Sequence, residues 1–176
     1  MIQDNEKTVD SKDLYIKFVD EIAEFEGGEY IRKCFACGTC TATCPVRAVD
    51  SSFDPRKIIR MVVLGMKREI FESDFVWLCA GCHACSDRCP QGVKVSDIMV
   101  ILRNLALKEG FVHRSYKLQV AELLKYGRLY EVGPYNKKRA KINLPPLKDD
   151  PLPVMKIMEL TGLSKFICDA DSGKEK

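Results

Sequence analysis

The sequence predicts a mainly α-helical chain folded around two compact cysteine clusters. Three observations carry that expectation. Eight of the nine cysteines fall in two runs of identical spacing. The segment joining the runs repeats its apolar residues at helical spacing. No stretch alternates apolar and polar residues for long enough to make a convincing strand.

The elements follow in chain order. Ser11 can cap a first helix that presents Leu14, Phe18, Ile22 and Phe25 on one face and stops at Gly27-Gly28, giving an N-terminal segment and helix over residues 1–28. Asp54-Pro55 reads as an N-cap followed by proline at the first helical position. Ile58, Ile59, Val62, Val63 and Met66 then recur at helical spacing, with Gly65 near the end. Ser96 opens another helix with Ile98, Ile101, Leu102 and Leu105 facing inward and Gly110 as its stop. A further one runs from about Ser115 to Tyr126 and ends at Gly127, which places the cysteine-bearing domain at residues 29–127. Tyr135 to Lys141 is basic and Leu144 to Pro153 holds four prolines, so residues 128–176 read as an extended C-terminal arm. The arm is expected to carry one short helix from Pro153 to Leu160 and a polar, disordered end at Asp169–Lys176. Its apolar residues Leu144, Leu147, Leu152 and Val154 either wrap a partner or pack on their own domain.

Composition excludes several function classes. A net charge of +3 is too small to argue for nucleic acid, and no block of like charges is long enough to be a binding tail. The N-terminus lacks the basic start and apolar stretch of a signal peptide. No window approaches the roughly 18 apolar residues of a bilayer span. A soluble, cytoplasmic protein is expected, in a reducing compartment where clustered thiols serve metal rather than disulfides.

The first run is Cys34-x2-Cys37-x2-Cys40-x3-Cys44-Pro45 and the second is Cys79-x2-Cys82-x2-Cys85-x3-Cys89-Pro90. The second copy lies 45 positions after the first at every ligand, from Cys34 to Cys79 and from Cys44 to Cys89. This is the bacterial ferredoxin pattern, in which three closely spaced thiolates serve one iron–sulfur cube and the fourth serves the other. Two-residue gaps let three sulfurs converge, whereas the last follows three more residues and precedes a proline turn, so it points away. Cys34, Cys37, Cys40 and Cys89 are therefore assigned to one [4Fe–4S] cluster, and Cys79, Cys82, Cys85 and Cys44 to a second. The alternative is structural zinc, which needs only four tetrahedral ligands.

Phe35, Val46, Phe53, Val76 and Trp77 flank the ligands and can shield them from water, or serve simply as core. Thr39, Thr41 and Thr43 can donate to sulfur or merely tolerate a turn. Eight thiolates and two oxidised cores add about −4, which moves the formal +3 to about −1. Arg32, Lys33, Arg47, Arg56 and Arg88 lie close in sequence to the ligands and can offset that charge. His83 is read as a non-ligand, since eight cysteines already fill the places, and Cys168 as a small apolar residue or spare thiol. There is no dinucleotide glycine motif, phosphate loop, Cys-Cys pair or nucleophile–base constellation. The chain is expected to relay electrons and to have no catalytic residue of its own.

The run from Cys34 to Pro45, the segment Phe53-Asp-Pro-Arg-Lys-Ile-Ile-Arg60 and the run Val76-Trp-Leu-Cys through Cys89-Pro-Gln-Gly-Val93 together resemble the C subunit of heterodisulfide reductase. The likeness is strong from about Glu29 to Gly110, and the length is similar to the free-standing subunit of methanogens. It implies an α-helical ferredoxin domain, similar to that of succinate dehydrogenase iron–sulfur subunits. It also implies that a flavin-containing A subunit passes electrons to this chain. It implies further that a catalytic B subunit with its own clusters then reduces the mixed disulfide of coenzymes M and B, and that a hydrogenase or formate dehydrogenase feeds the A subunit in the larger assembly. Similar double motifs occur in iron–sulfur subunits of glycolate oxidase, glycerol-3-phosphate dehydrogenase and sulfur-metabolism enzymes, which would change only donor and acceptor. The N-terminal helix and C-terminal arm are the expected partner surfaces.

Overall fold

The computed structural model describes residues 9–163, and among them all regular structure is helical, with no strand. Cys168 and the end of the arm lie outside the described residues. No helix among the described residues is long and apolar enough to cross a membrane. The chain divides into two compact units, Met1–Ala106 and Leu107–Lys176, a division that falls ahead of the helix the sequence joined to the cysteine-bearing domain.

The first unit holds α1 (Phe18–Ala23), α2 (Thr39–Ala42), α3 (Pro45–Val49), α4 (Pro55–Val63), α5 (Lys67–Glu72), α6 (Phe75–Leu78), α7 (Ala84–Asp87) and most of α8 (Val95–Lys108). Its core is aliphatic with three phenylalanines: Phe18, Ile22, Ile31, Phe53, Ile58, Ile59, Val62, Ile70, Phe71, Val76, Ile98 and Leu102 are all buried. Helix α4 is the hub, packing against α1, α2 and α5. On the face toward them it buries Ile58, Ile59 and Val62, the periodicity read from sequence.

The first helix begins later than expected. Asp10 caps only a 3-10 turn, Ser11–Asp13, through its bond from the Lys12 N–H, and the chain is extended again at Leu14. Tertiary bonding overrides the local signal, because the Tyr15 N–H donates to the Gly65 carbonyl at 2.8 Å and holds the chain out of the helix. Phe18 and Ile22 are buried as expected, whereas Phe25 is exposed. Phe18 meets Phe71 edge-on, with ring centroids 5.8 Å apart. The Lys67 ammonium lies 5.1 Å from the centre of the Tyr15 ring and 3.0 Å from a Glu21 carboxylate oxygen, tying α5 to the N-terminal segment.

The cap of α4 does two jobs. The Asp54 carboxylate accepts from the Lys57 N–H at 3.2 Å and from the Thr41 hydroxyl at 2.5 Å, and the Thr41 oxygen accepts from the Arg56 N–H at 3.2 Å. One carboxylate thus starts α4 and fastens it to the first cysteine run. Asp54→Ala is expected to cost about 2 kcal/mol, a lost cap plus a lost charge-assisted bond, read as a lower denaturation midpoint. Burial opposes the Asp54 charge, but the Thr41 hydroxyl, the Lys57 N–H and the Arg56 cation outweigh it and hold the carboxyl below its usual value. A lowered folded value means that this contribution is complete above the unfolded pKa of about 3.9 and is lost as pH falls through the folded one. The variant should therefore lose less stability on acidification than the native chain does.

In the second unit, α9 (Arg114–Tyr126) ends at Gly127 as expected and packs against α11 (Leu152–Thr161). Between them lies α10 (Gly133–Ala140), where the sequence suggested an extended arm. Pro134 sits in its first turn, and the lysines, arginine and alanine that follow are good helix formers with no apolar period to betray them. The proline-rich stretch is irregular, as expected, but it is tied down: Asn136 accepts from the Leu147 N–H at 2.8 Å and donates to the Leu147 carbonyl at 2.9 Å.

Candidate functional site: two four-thiol cavities

Both cysteine runs follow one backbone path. Each leaves a short helical turn, Ile31–Lys33 or α6, and becomes extended at its first cysteine, Cys34 or Cys79. It then passes through two left-handed residues and closes into a single turn of helix, α2 or α7. The left-handed positions are Ala36 (φ 59°) and Gly38 (86°) in the first run, and Gly81 (63°) and His83 (62°) in the second. Each run therefore places glycine at one of the two positions and a side chain at the other, in opposite order. A non-glycine residue there costs about 1–2 kcal/mol. Ala36 is exposed, so Ala36→Gly loses little packing and should stabilise the chain by about 0.5–1 kcal/mol, read as a higher denaturation midpoint under anaerobic conditions.

A hydroxyl after each third cysteine anchors the run to the next helix. Thr41 accepts the N–H of Arg56 in the first turn of α4, and Ser86 accepts the N–H of Ser96 in the first turn of α8 at 3.0 Å. The two short helices α2 and α7 also pack against each other. Cys44 is the extended residue before α3, with Pro45 fixing the backbone at the helix start.

The result is two cavities. One is lined by Cys34, Cys37, Cys40 and Cys89, with Phe35, Ile59, Val93, Val95 and Arg56 among its walls. The other is lined by Cys79, Cys82, Cys85 and Cys44, with Val46, Phe53, Met99, His83 and Ser96. Each run thus sends three cysteines to one cavity and its fourth to the other. All eight are free thiols; Cys37 and Cys82 are exposed and the other six are half-buried.

Burial, reinforced by the nearby Cys79, pushes the Cys85 thiol up to about 11, and burial likewise raises Cys40. The Thr39 hydroxyl, 3.3 Å from the Cys37 sulfur, lowers the Cys37 thiol. The Cys89 sulfur accepts the Val93 N–H at 3.3 Å. Without metal, the Cys40 and Cys85 thiols keep their protons at neutral pH, so loading iron there must release them. Among the described residues, no three His, Cys, Asp or Glu side chains are placed to hold a single metal ion. A tetrahedral zinc with bonds of about 2.3 Å would need sulfurs within about 4 Å of one another. Four thiols ringing an apolar-walled cavity suit the soft-ligand preference of an iron–sulfur cube.

Other residues expected near the site divide. Thr39 meets the Cys37 sulfur, and Thr41 bonds Asp54 and also acts on the Cys40 thiol, lowering it against its burial, whereas Thr43 donates to the Thr39 carbonyl at 3.0 Å. Phe53 and Val76 are buried, but Phe35 is 60% exposed and shields little. Of the nearby cations, Arg56 lines a cavity, Arg47 donates to the Phe53 carbonyl, and Arg32 pairs with Asp20. His83 Nδ1 lies 2.9 Å from the Ser96 hydroxyl. Sequence reasoning missed the Ser86–Ser96 anchor and Arg103, whose Nε donates to the Val76 carbonyl at 2.6 Å. The 45-residue period aligns Ser86 with Thr41 and could have flagged the anchor.

Residues 30–93 match the family model described as a 4Fe-4S dicluster domain. The chain is 34% identical over 140 residues to the iron–sulfur C subunit of the CoB–CoM heterodisulfide reductase of Methanopyrus kandleri, covering 76% of this chain and 72% of that protein. It is 33% identical to the C subunit of the H2:CoB–CoM heterodisulfide,ferredoxin reductase of Methanothermobacter thermautotrophicus, over 72% of this chain and 68% of that one. It is 36% identical to the C2 subunit of the H2/formate:CoB–CoM heterodisulfide,ferredoxin reductase of Methanococcus maripaludis, over 64% of this chain and 58% of that one.

Proposed function

Because the chain belongs to the family of heterodisulfide reductase C subunits, we propose that it relays electrons between a flavin-containing A subunit and a catalytic B subunit that reduces the heterodisulfide of coenzymes M and B. Its general role is that of an iron–sulfur electron-transfer subunit carrying two [4Fe–4S] clusters. The observation that carries the relay is the sorting of eight thiols into two cavities that exchange their fourth cysteine.

We assign Cys34, Cys37, Cys40 and Cys89 to one cluster and Cys79, Cys82, Cys85 and Cys44 to the other, in an α-helical ferredoxin arrangement within residues 29–127. When bound, the clusters supply two neighbouring one-electron carriers. The protein supplies the rest. Ile59, Val93, Val95, Phe53 and Met99 exclude water from the sulfurs, the Thr39 hydroxyl and Val93 N–H stand ready to stabilise negative charge on them, and the exchanged cysteines hold the two sites together. Upstream, a hydrogenase or formate dehydrogenase feeds the A subunit, and residues 1–28 and 128–176 are the surfaces we assign to partners. We place the complex in the cytoplasm, where thiols stay reduced.

No Cys-Cys pair is present to build a disulfide-reducing centre on this chain. The test is anaerobic mixing of the reduced chain with its substrates and partners, followed by visible absorption. Reoxidation is expected only when the B subunit and the heterodisulfide are both present. Equally fast reoxidation by the heterodisulfide alone would contradict the relay.

A further inference from the structure

Arg103 stands where the ligand assignment gives it no task. It extends from α8 within the first unit, half-buried, to the far end of α6. Its Nε donates to the Val76 carbonyl at 2.6 Å and its Nη2 donates to the carbonyl of Cys79 itself. These are carbonyls at a helix C-terminus, which lack intrahelical partners and favour a cation. No carboxylate among the described residues pairs with this guanidinium. The first run has no equivalent: the turn leading to Cys34 closes on its own, Cys34 N–H to Ile31 carbonyl, with no arginine donating to it among the described residues.

We propose that Arg103 is a positioning residue for the second cysteine run. It fixes Cys79 by a two-point hold on the backbone, and it keeps a positive charge behind that cysteine, so that the cluster held by Cys79 accepts an electron more readily. This rests on the iron–sulfur reading above. Reduction adds one negative charge to the site, and a fixed cation in a half-buried position favours the reduced form. The planar guanidinium supplies both the fork and the charge; lysine would supply the charge without the fork.

The test is an EPR-monitored redox titration of the full chain, purified without oxygen, with the signal of the Cys79 cluster identified through a Cys82→Ser reference. Arg103→Met keeps the apolar stem and removes fork and charge. It is expected to retain iron and sulfide and to lower the reduction equilibrium of the Cys79 cluster about tenfold, ~59 mV for one electron, while the other cluster stays put. Arg103→Lys should recover most of that potential but keep altered g-values for the same cluster. An unchanged potential in Arg103→Met, or an equal shift in both clusters, would overturn the proposal. Should Arg103→Met fail to assemble the cluster, Arg103→Lys decides: near-native potential with altered g-values supports the two-point hold, and native values of both overturn it. Missing iron and sulfide in the unmodified chain would instead remove the electron-transfer reading and leave the backbone hold testable by amide exchange at Cys79 and Ala80.

Discussion

Cys44→Ser is expected to disturb the cluster of Cys79, Cys82 and Cys85 and to leave the cluster beside its own run intact. Cys44 lies only four residues after Cys40, yet it lines the cavity of the second run. Pro45 fixes the backbone at the start of α3, and α2 is packed against α7, so the chain cannot readily swing the sulfur back. A serine oxygen is a harder, weaker ligand for iron than a thiolate. Retention of iron by that one cluster under chelator challenge should fall by at least about tenfold, the lower end of what outer-shell changes alone produce. Its EPR signal and potential should change, while those of the Cys34, Cys37, Cys40 and Cys89 site remain. A change confined to the latter would contradict the crossed assignment. The helical fold should survive, because Cys44 gives no hydrogen bond through its side chain to α3.

Gly65→Ala is expected to destabilise the first unit strongly while leaving the cysteines alone. Gly65 has φ of 77°, and a Cβ placed there would lie 2.6 Å from the Tyr15 carbonyl oxygen. That neighbour is backbone and is itself held, since the Tyr15 N–H donates to the Gly65 carbonyl at 2.8 Å. The cost combines a left-handed alanine, about 1–2 kcal/mol, with overpacking of about 1–3 kcal/mol. A total of about 2–5 kcal/mol is a large share of the roughly 5–15 kcal/mol that holds a domain together. Gly92→Ala is the control: its φ is 66°, but nothing lies within 4 Å of the added methyl. Denaturant midpoints should fall at least twice as far for Gly65→Ala as for Gly92→Ala. Equal shifts would mean that the N-terminal segment yields without cost.

How much of the fold and site was legible depended on length and on distance along the chain. Helices α4, α8 and α9 were readable because each carries caps or stops and enough turns to show a period. The single turns α2 and α7 were not, since four residues have no period, and their form is dictated by left-handed residues between cysteines. The start of α1 was misplaced because a bond from Tyr15 to Gly65, 50 positions away, outweighs the local capping signal. Helix α10 escaped because a polar helix has no apolar stripe. The eight cysteines announced themselves by spacing alone. Their supports did not: Arg103 reaches Cys79 across 24 residues, and nothing in either local sequence marks the pair.

Two iron–sulfur cubes on one chain are tested most directly by counting iron and acid-labile sulfide. Anaerobically purified protein is expected to hold about eight of each, with the interacting EPR signals of two neighbouring reduced cubes after dithionite. About two zinc ions per chain and no sulfide would contradict the electron relay, because four-cysteine zinc sites need neither iron nor sulfide.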